Sequence, residues 1–486
     1  MPVPTSVKQL LETQNVSYNV TDNVTDSVTD NVTDNIADNV STTPAAGGIR
    51  HHAHMRRAGA AKSMILQDKH GRVQVLIPAD CMLDLNAVNR QLDRQLSAIG
   101  GADLRSFFDK HELESIPALP KLAGLPSLVD RRLLEPEELL LDSGMSNQLL
   151  ALKQAAFQQT LSDANICDIA VPLADLEPDL ARQGSGGDDE SQIGKAVTTF
   201  TNLRIKQRLE ETLELPPLPE TAQRIIKLRV DPNADISDLA NIVETDPSLA
   251  AQVVSWAASP YYSAPGKIKS IHDAIVRVLG FDMVLNLALG LALGRTLNMP
   301  KDGPQGVTPY WKKAVYTAAT VEALITAIPR EHRPSFGMAY LAGLLNNFGY
   351  LILAEVFPPH FSAICRYVEA NPHVHHQAIE RHLIEITREQ LASWLMDLWN
   401  MPAEVTVALR YQNDPDYAGE HNEYAKLVHM AQLLLRQQGI GSGPIQAVPP
   451  HLYSYLQLDS EQVAAAIGGI MASSEELNSI ASQMGG

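Results

Sequence analysis

The chain has 486 residues, enough for two or three domains, and its 56 Asp and Glu against 38 Lys and Arg leave a formal net charge of −18. That balance argues against general binding to a phosphate backbone, and so against duplex DNA, while leaving room for a local basic pocket around a single-stranded end. Cys81, Cys167 and Cys365 are odd in number and far apart, which fits neither a disulfide framework nor a zinc cluster and points to a reducing cytoplasm.

The opening "MPVPTSVKQLLETQNV" has no basic start followed by an apolar core, so no signal peptide is expected. A tetrapeptide repeat follows, "NVTDNVTDSVTDNVTD" from Asn19 to Asp34, continued by "NIADNV" to Val40. As a helix it would stack Asp22, Asp26, Asp30, Asp34 and Asp38 at i, i+4 among residues that form helices poorly. As a strand, each Val would share its face with an Asp, leaving neither face apolar. The expectation for 19–40 is therefore a disordered insertion. The Asp ladder lacks the glycine-turn loop of a calcium site. "HHAHMRR" (51–57) reads as a solvated loop, without the partners a zinc site needs.

Beyond the insertion, "AKSMILQD" (61–68) and "RVQVLIPA" (72–79) predict two strands of a hairpin around "KHG". Leu85, Val88, Leu92 and Leu96 recur at helical spacing, ended by Gly100 and Gly101. "PSLVDRRLLEPEELLLDSG" holds two more short strands. "QLLALKQAAFQQTL" reads either as a strand running into a helix or as one amphipathic helix. Together these predict an α+β domain over 1–170.

Residues 176–200, rich in Gly, Ser and acids, read as a flexible linker. From 201 the chain turns helical. Pro216, Pro217 and Pro219 precede a helix; Ser237 and Asp246-Pro247 look like helix starts; Ser270 with Asp273 resembles a capping box, and Gly280 ends that helix. This predicts a compact all-α bundle over 201–415. The apolar stretches 283–294 and 340–357 are, respectively, too short to span a membrane and broken by Asn346 and Asn347, so both are expected as buried helices and no membrane partner is expected. The extension 416–486 ends in helices starting near Ser460 and Ser474, which could cap the bundle or mediate oligomerisation.

The N-terminal order of elements resembles the YbaK/prolyl-tRNA-synthetase-associated family, whose members hydrolyse mischarged aminoacyl-tRNA. "AAKSMIL" and "LVDRRLLE" carry the resemblance best. It implies that Lys62 lies in the active site as the catalytic candidate, able to hold a tRNA 3′-end phosphate or an ester carbonyl. Ser143 and Gly144 accompany it as ligand-binding candidates. The family's Gly-x-x-x-Pro loop is changed: in "ELESIPALPKLAGLP" the residue four before Pro117 is Leu113, and four before Pro120 is Ile116. A side chain there would block close backbone approach to an ester, implying a pocket that binds but hydrolyses poorly.

The second region is identified by resemblance as an HDOD domain, a helical relative of the HD phosphohydrolases, on "LPPLPETAQRI", "DISDLANIVETDPSLAAQVV", "SPYYS", "IKSIHDAIVRVLGFDMVLNLALG" and "AGLLNNFGYLILAE". Where the phosphohydrolases carry metal-binding His and Asp, this sequence has Lys313, Asn346, Asn347, Arg388, Gln412 and Asn413. The resemblance thus implies no metal, no cofactor and a pocket of donors suited to an anion or to protein contacts. His373, His375, His376 and His382 share no single helical face and are expected at the surface or in capping roles. The expected function is a cytoplasmic signalling protein, its HDOD scaffold or sensor coupled to a degenerate domain that binds a ligand or a tRNA end. The alternative is an aminoacyl-tRNA deacylase regulated by the HDOD domain. Other signalling proteins and the aminoacyl-tRNA 3′ end are the expected partners.

Overall fold

A computed structural model describes residues 3–22, 59–145, 148–162, 164–176, 186–200, 217–263 and 266–484. Most of the tetrapeptide repeat and the His-rich 51–57 stretch lie outside the described residues. An N-terminal region built on a mixed sheet is followed by a helical bundle, as the sequence predicted.

The sheet runs β1 (Asn19–Asp22), β8 (Gln148–Lys153), β7 (Glu138–Asp142), β2 (Ala60–Asp68), β3 (Gly71–Pro78), β6 (Ser127–Asp130), β9 (Asn165–Cys167), with β5 (Ser97–Ala98) pairing β2. The predicted hairpin is β2 and β3, antiparallel from Ala61↔Pro78 to Asp68↔Gly71. Gly71 supplies the positive φ, 127°, that its turn requires. "QLLALKQAAFQQTL" resolves as a strand running into a helix, Gln154–Thr160.

Three expectations need correction. The first four residues of the repeat are not part of a disordered insertion. Asn19–Asp22 is an edge strand paired antiparallel with β8, Asn19↔Ala151 to Asp22↔Gln148. Neither face of it is apolar, as the period argument required, and Val20 stays 46 % exposed; the partner strand supplies backbone hydrogen bonds without burial. Residues 186–200 are not a flexible linker but a helix, Gly186–Phe200. Ile193, Ala196 and Val197 are buried on it, and Phe200 sets its ring against His360 at 5.3 Å. That spacing of i, i+3, i+4 and i+7 is a helical stripe that the polar composition concealed. Finally, the helix expected to start at Ser237 begins one residue earlier. It spans Ile236–Glu244, with Asp235 as N-cap in a reciprocal capping box with Asp238.

Both faces of the sheet are covered, so its central strands read as nearly continuous apolar runs. On one face Ala61, Ile65, Leu76, Val129 and Leu141 pack with Val7, Leu11, Phe107 and Phe157 from the helices Thr5–Thr13, Gly101–His111 and Gln154–Thr160. On the other, Met64, Leu66, Val73, Val75 and Ile77 join a core that continues through Cys81–Leu83 and Val88 into the helical bundle. The two regions are therefore not beads on a string. Asn371 locks the seam: its side chain accepts from Leu83 N at 2.6 Å and donates to Leu83 O at 3.1 Å. Tyr367 Oη donates to the Asp84 carboxylate at 2.7 Å and accepts from Asn86 N at 3.1 Å, and the His373 ring bonds Cys81 O at 2.9 Å.

In the bundle, Asp246 caps Pro247–Ala257 with Pro at its first position, and Ser270 caps Ile271–Ala274, as expected. The apolar helix Phe281–Gly294 is buried from Met283 onward, and the long apolar stretch 336–356 is likewise inside the bundle. Helices do begin at Ser460 and Ser474, and they pack on the bundle: Tyr316 Oη bonds Ser474 O at 3.1 Å and Asn478 Oδ1 at 3.2 Å.

Candidate functional sites

The N-terminal candidates gather at the end of β7. Lys62 on β2 is half-buried, and burial lowers its ammonium to about 8, with the Asp142 carboxylate pulling the other way. Burial raises the Asp142 carboxyl, opposed by hydrogen bonds from Ser115 Oγ at 2.5 Å and Gly144 N at 2.8 Å. Ser143 is fully buried and its Oγ accepts from Met145 N at 3.2 Å. Gly144 (φ 91°) receives the 113–120 loop: its carbonyl accepts from Glu114 N at 2.8 Å and Ser115 N at 3.3 Å. Gln74, fully buried on β3, holds the far side of that loop by donating to Pro117 O and Leu119 O.

Leu113 is a core residue. A Cβ at Gly144 would come within 2.7 Å of its Cδ2, and it packs with Leu11, Phe107 and Leu119. The missing glycine of the loop is thus replaced by an apolar anchor, which answers to the close backbone approach at Gly144 across from it.

In the bundle the structure brings all six predicted residues into one cluster, but not as a set of free donors. Arg388 Nε donates to Glu380 Oε1 at 2.5 Å, Arg388 N to Glu380 Oε2 at 2.9 Å, and Arg388 Nη1 to Asn347 Oδ1 at 3.3 Å. Asn413 donates to Glu389 Oε1 at 2.9 Å, the same oxygen that meets His376 Nε2 at 2.7 Å. Gln412 donates to Asn346 O at 2.8 Å and accepts from Gln432, which in turn accepts from Arg436 at 3.3 Å. Burial lowers Lys313 to about 7, helped by Arg388 and Arg436. Burial pushes Glu380 up to about 7 against the pull of Arg388, whereas His376 and Arg388 hold Glu389 well below the usual carboxylate range.

Glu380, Glu389, His376 and Arg436 were missed from the sequence. One signal was available: His376 and Glu380 stand at i, i+4 in "HQAIE". The surface expectation for the histidines is corrected for two of them. His373 and His376 are buried, one at the seam and one against Glu389. His375 does cap a helix, accepting from Gln377 N at 3.5 Å.

His376, Glu380 and Glu389 place one potential ligand atom each within 4.8 Å of one another. The donor set does not fit a divalent cation, because the Arg388 guanidinium already occupies Glu380, and Lys313 and Arg436 add two more positive charges nearby. A 2+ ion about 5 Å from a unit cation is repelled by roughly 7 kcal/mol at an effective dielectric near 20, and ligation by Glu380 would strand the buried Arg388 guanidinium without its partner.

Residues 215–415 match the family profile of the HDOD domain, and residues 48–160 that of the aminoacyl-tRNA editing domain. A crystal structure from Marinobacter aquaeolei VT8, of a protein provisionally assigned to signal transduction, is 41 % identical and covers 100 % of both chains at a TM-score of 0.86. An HDOD domain protein of unknown function from Geobacter sulfurreducens is 22 % identical over 60 % of this chain and 99 % of its own, TM-score 0.46. An uncharacterized protein of Treponema pallidum (strain Nichols) is 22 % identical over 282 residues; these are 57 % of this chain, which spans about half the length of that curated relative (52 %).

Proposed function

We propose that this chain, which belongs to the family of proteins joining an aminoacyl-tRNA editing domain to an HDOD domain, is a cytoplasmic regulatory protein whose bundle senses or scaffolds rather than hydrolyses. The observation that carries this reading is the Arg388–Glu380 pair. The carboxylate best placed to ligate a water-activating metal is committed to a guanidinium and a backbone amide, and Glu389 to His376 and Asn413. Such a cluster stabilises one arrangement of helices and offers no open coordination position.

The N-terminal domain contributes recognition. Lys62 is a cation held in a partly desolvated position, suited to an ester carbonyl or a 3′-end phosphate. Its partners in signalling are other proteins, and the acidic chain avoids duplex DNA. The test uses the full chain. It should bind mischarged tRNA without appreciable deacylation and leave bis-p-nitrophenyl phosphate intact in the presence of manganese. Phosphodiesterase turnover abolished by chelator would overturn the reading.

The alternative, an aminoacyl-tRNA deacylase, is favoured by one observation: Lys62 and Asp142, both half-buried, are oppositely charged groups that shift one another beside the 113–120 loop. Deacylation by the full chain that disappears in Lys62→Ala would establish it.

A further inference from the structure

The helix Gly186–Phe200 is poorly suited by sequence to being a helix. It contains Gly186, Gly187 and Gly194 and the β-branched Ile193, Val197, Thr198 and Thr199, so it would not hold its shape alone. Thr198 and Thr199 turn their hydroxyls back onto the carbonyls of Gly194 and Lys195, at 2.8 and 2.9 Å. Its seat on the bundle is what forms it, and folding and docking are one event.

That seat has the anatomy of a recognition groove. Asp189, Ile193, Ala196, Val197 and Phe200 recur at i, i+4, i+7, i+8 and i+11 and share one face. Ile193, Ala196 and Val197 are buried in the bundle core, and Phe200 closes on His360. At the other end the Asp189 carboxylate bridges two helices. Arg410, of Ala403–Tyr411, donates from Nη2 to Oδ1 at 2.8 Å and from Nε to Oδ2. Gln390, of Arg388–Leu398, donates to Oδ1 at 2.8 Å and to Gln192 Oε1 at 2.8 Å. The Lys195–Glu385 pair is mostly exposed and adds little.

Arg410 makes the seat selective. It is 7 % exposed, and among the described residues Asp189 is its only carboxylate. Were the helix to leave, a guanidinium would stay buried without its counter-charge, so apolar contact alone cannot satisfy the vacated groove. An occupant needs a carboxylate one turn ahead of its apolar stripe, and a helix without one is rejected.

We propose, resting on the reading of the bundle as a scaffold for other proteins, that this groove docks an acidic amphipathic helix of a partner protein. Gly186–Phe200 is the chain's own stand-in, which the partner displaces. The mode is a helix laid in a groove and read through anchors one and two turns apart. The attached helix shuts the groove by proximity, since a tethered segment acts at an effective concentration of roughly millimolar order. Its glycines and β-branched residues make it a weak occupant for that concentration. A partner segment that is already helical avoids the ordering that this one must undergo on docking.

The test follows a fluorescein-labelled peptide of residues 186–200 by anisotropy as the full chain is added. Wild type, its groove filled, should bind it weakly. Asp189→Ala and Ile193→Asp, which loosen the attached helix, should each bind it about tenfold tighter or more. A peptide carrying Asp189→Ala should bind those variants about 10–100-fold more weakly than the native peptide does. Gly194 is exposed, and a Cβ there would meet nothing within 4 Å, so Gly194→Ala strengthens the attached helix alone. Added to Asp189→Ala, it should reverse part of the gain. Asp189→Ala keeps the apolar stripe and carries the test should Ile193→Asp fail to fold. Variants that bind the peptide no better than wild type, or that bind both peptides equally, overturn the proposal and leave the non-hydrolytic reading standing. Self-association of the variants in place of peptide binding overturns it too, because a second copy then fills the groove. Phosphodiesterase turnover by a chain that still binds the peptide would overturn the non-hydrolytic reading and leave the groove.

Discussion

Replacing Arg388 by Met keeps the apolar stem of the side chain and removes its charge. In the wild type the guanidinium donates to fully buried Glu380, touches Asn347 and lies 5.4 Å over the Tyr350 ring. After the substitution Glu380 keeps only the backbone N–H of residue 388. Breaking a buried pair by removing one partner costs about 3–5 kcal/mol, because the remaining charge is stranded. The carboxyl can escape by taking up a proton, which costs about 1.4 kcal/mol for each unit by which the pH exceeds its unfolded pKa. Glu380 is already raised to about 7 with its partner present, so in the variant it titrates higher still. A carboxyl raised above its unfolded value contributes stability that is present below the unfolded pKa and lost as pH rises through the folded one. The destabilisation by Arg388→Met is therefore largest near pH 8 and shrinks towards pH 5. Urea denaturation of the full chain, followed by helical circular dichroism at pH 5, 6.5 and 8, measures it. Glu380→Gln in the Arg388→Met background should recover most of the loss at pH 8. A loss under ~1 kcal/mol at pH 8, or one that does not change with pH, refutes the ion-pair account, since surface pairs contribute no more than that.

Leu113→Gly, which restores the small residue of the editing-domain loop, should lower stability by about 3–5 kcal/mol because a core anchor is lost, and should not confer deacylation; a gain of hydrolysis without loss of stability would show that the loop, not the core, is what Leu113 serves. Asp189→Ala should free the Gly186–Phe200 helix, whose carboxylate binds both Arg410 and Gln390, and limited proteolysis should then cut within 186–200 faster than in wild type. Lys62→Ala should weaken binding of the aminoacyl-tRNA 3′ end by roughly 1–3 kcal/mol while leaving the melting temperature unchanged or higher, because burying an ammonium is itself unfavourable. Equal binding by wild type and variant would make the N-terminal domain a protein-interaction module.

Much of the framework was legible because local signals agreed with the fold. The hairpin of β2 and β3, the Asp246-Pro247 helix start and the Ser270 cap each depend on a few adjacent residues. What escaped depends on distant ones. The stripe Ile193, Ala196, Val197, Phe200 has meaning only once a bundle surface exists to receive it, and the surrounding Gly, Ser and Asp read as linker without it. Asn19–Asp22 becomes a strand because β8, Gln148–Lys153, offers an edge far along the chain. At the site, the six changed metal positions could be named from the resemblance, but their partners could not. Glu380 and Glu389 are charged residues on helices, ordinarily solvated, and nothing in their neighbours along the chain announces that a guanidinium waits to neutralise them in the interior. Arg436 lies at the end of a helix where a basic residue needs no other explanation.

The stretch "NPHVHH" ties these observations together. Asn371 and His373 bond the backbone of Leu83 and Cys81 in the N-terminal region, and three residues further on His376 bonds Glu389 in the buried charge cluster. Between them His375 caps the helix His376–Ile384, which carries Glu380. Six consecutive residues therefore run from the seam between the two regions to the centre of the bundle, every polar anchor among them buried or capping. Asn371 is held from both sides, its amide donating also to Tyr367 O at 3.0 Å, so a displacement of Cys81–Leu83 would leave buried polar groups unsatisfied at a cost on the order of 1–3 kcal/mol. His373 and His376, expected at the surface or in caps, therefore lie on a short stretch that joins the two regions, and they are buried there because the editing-type sheet and the helical bundle share one core.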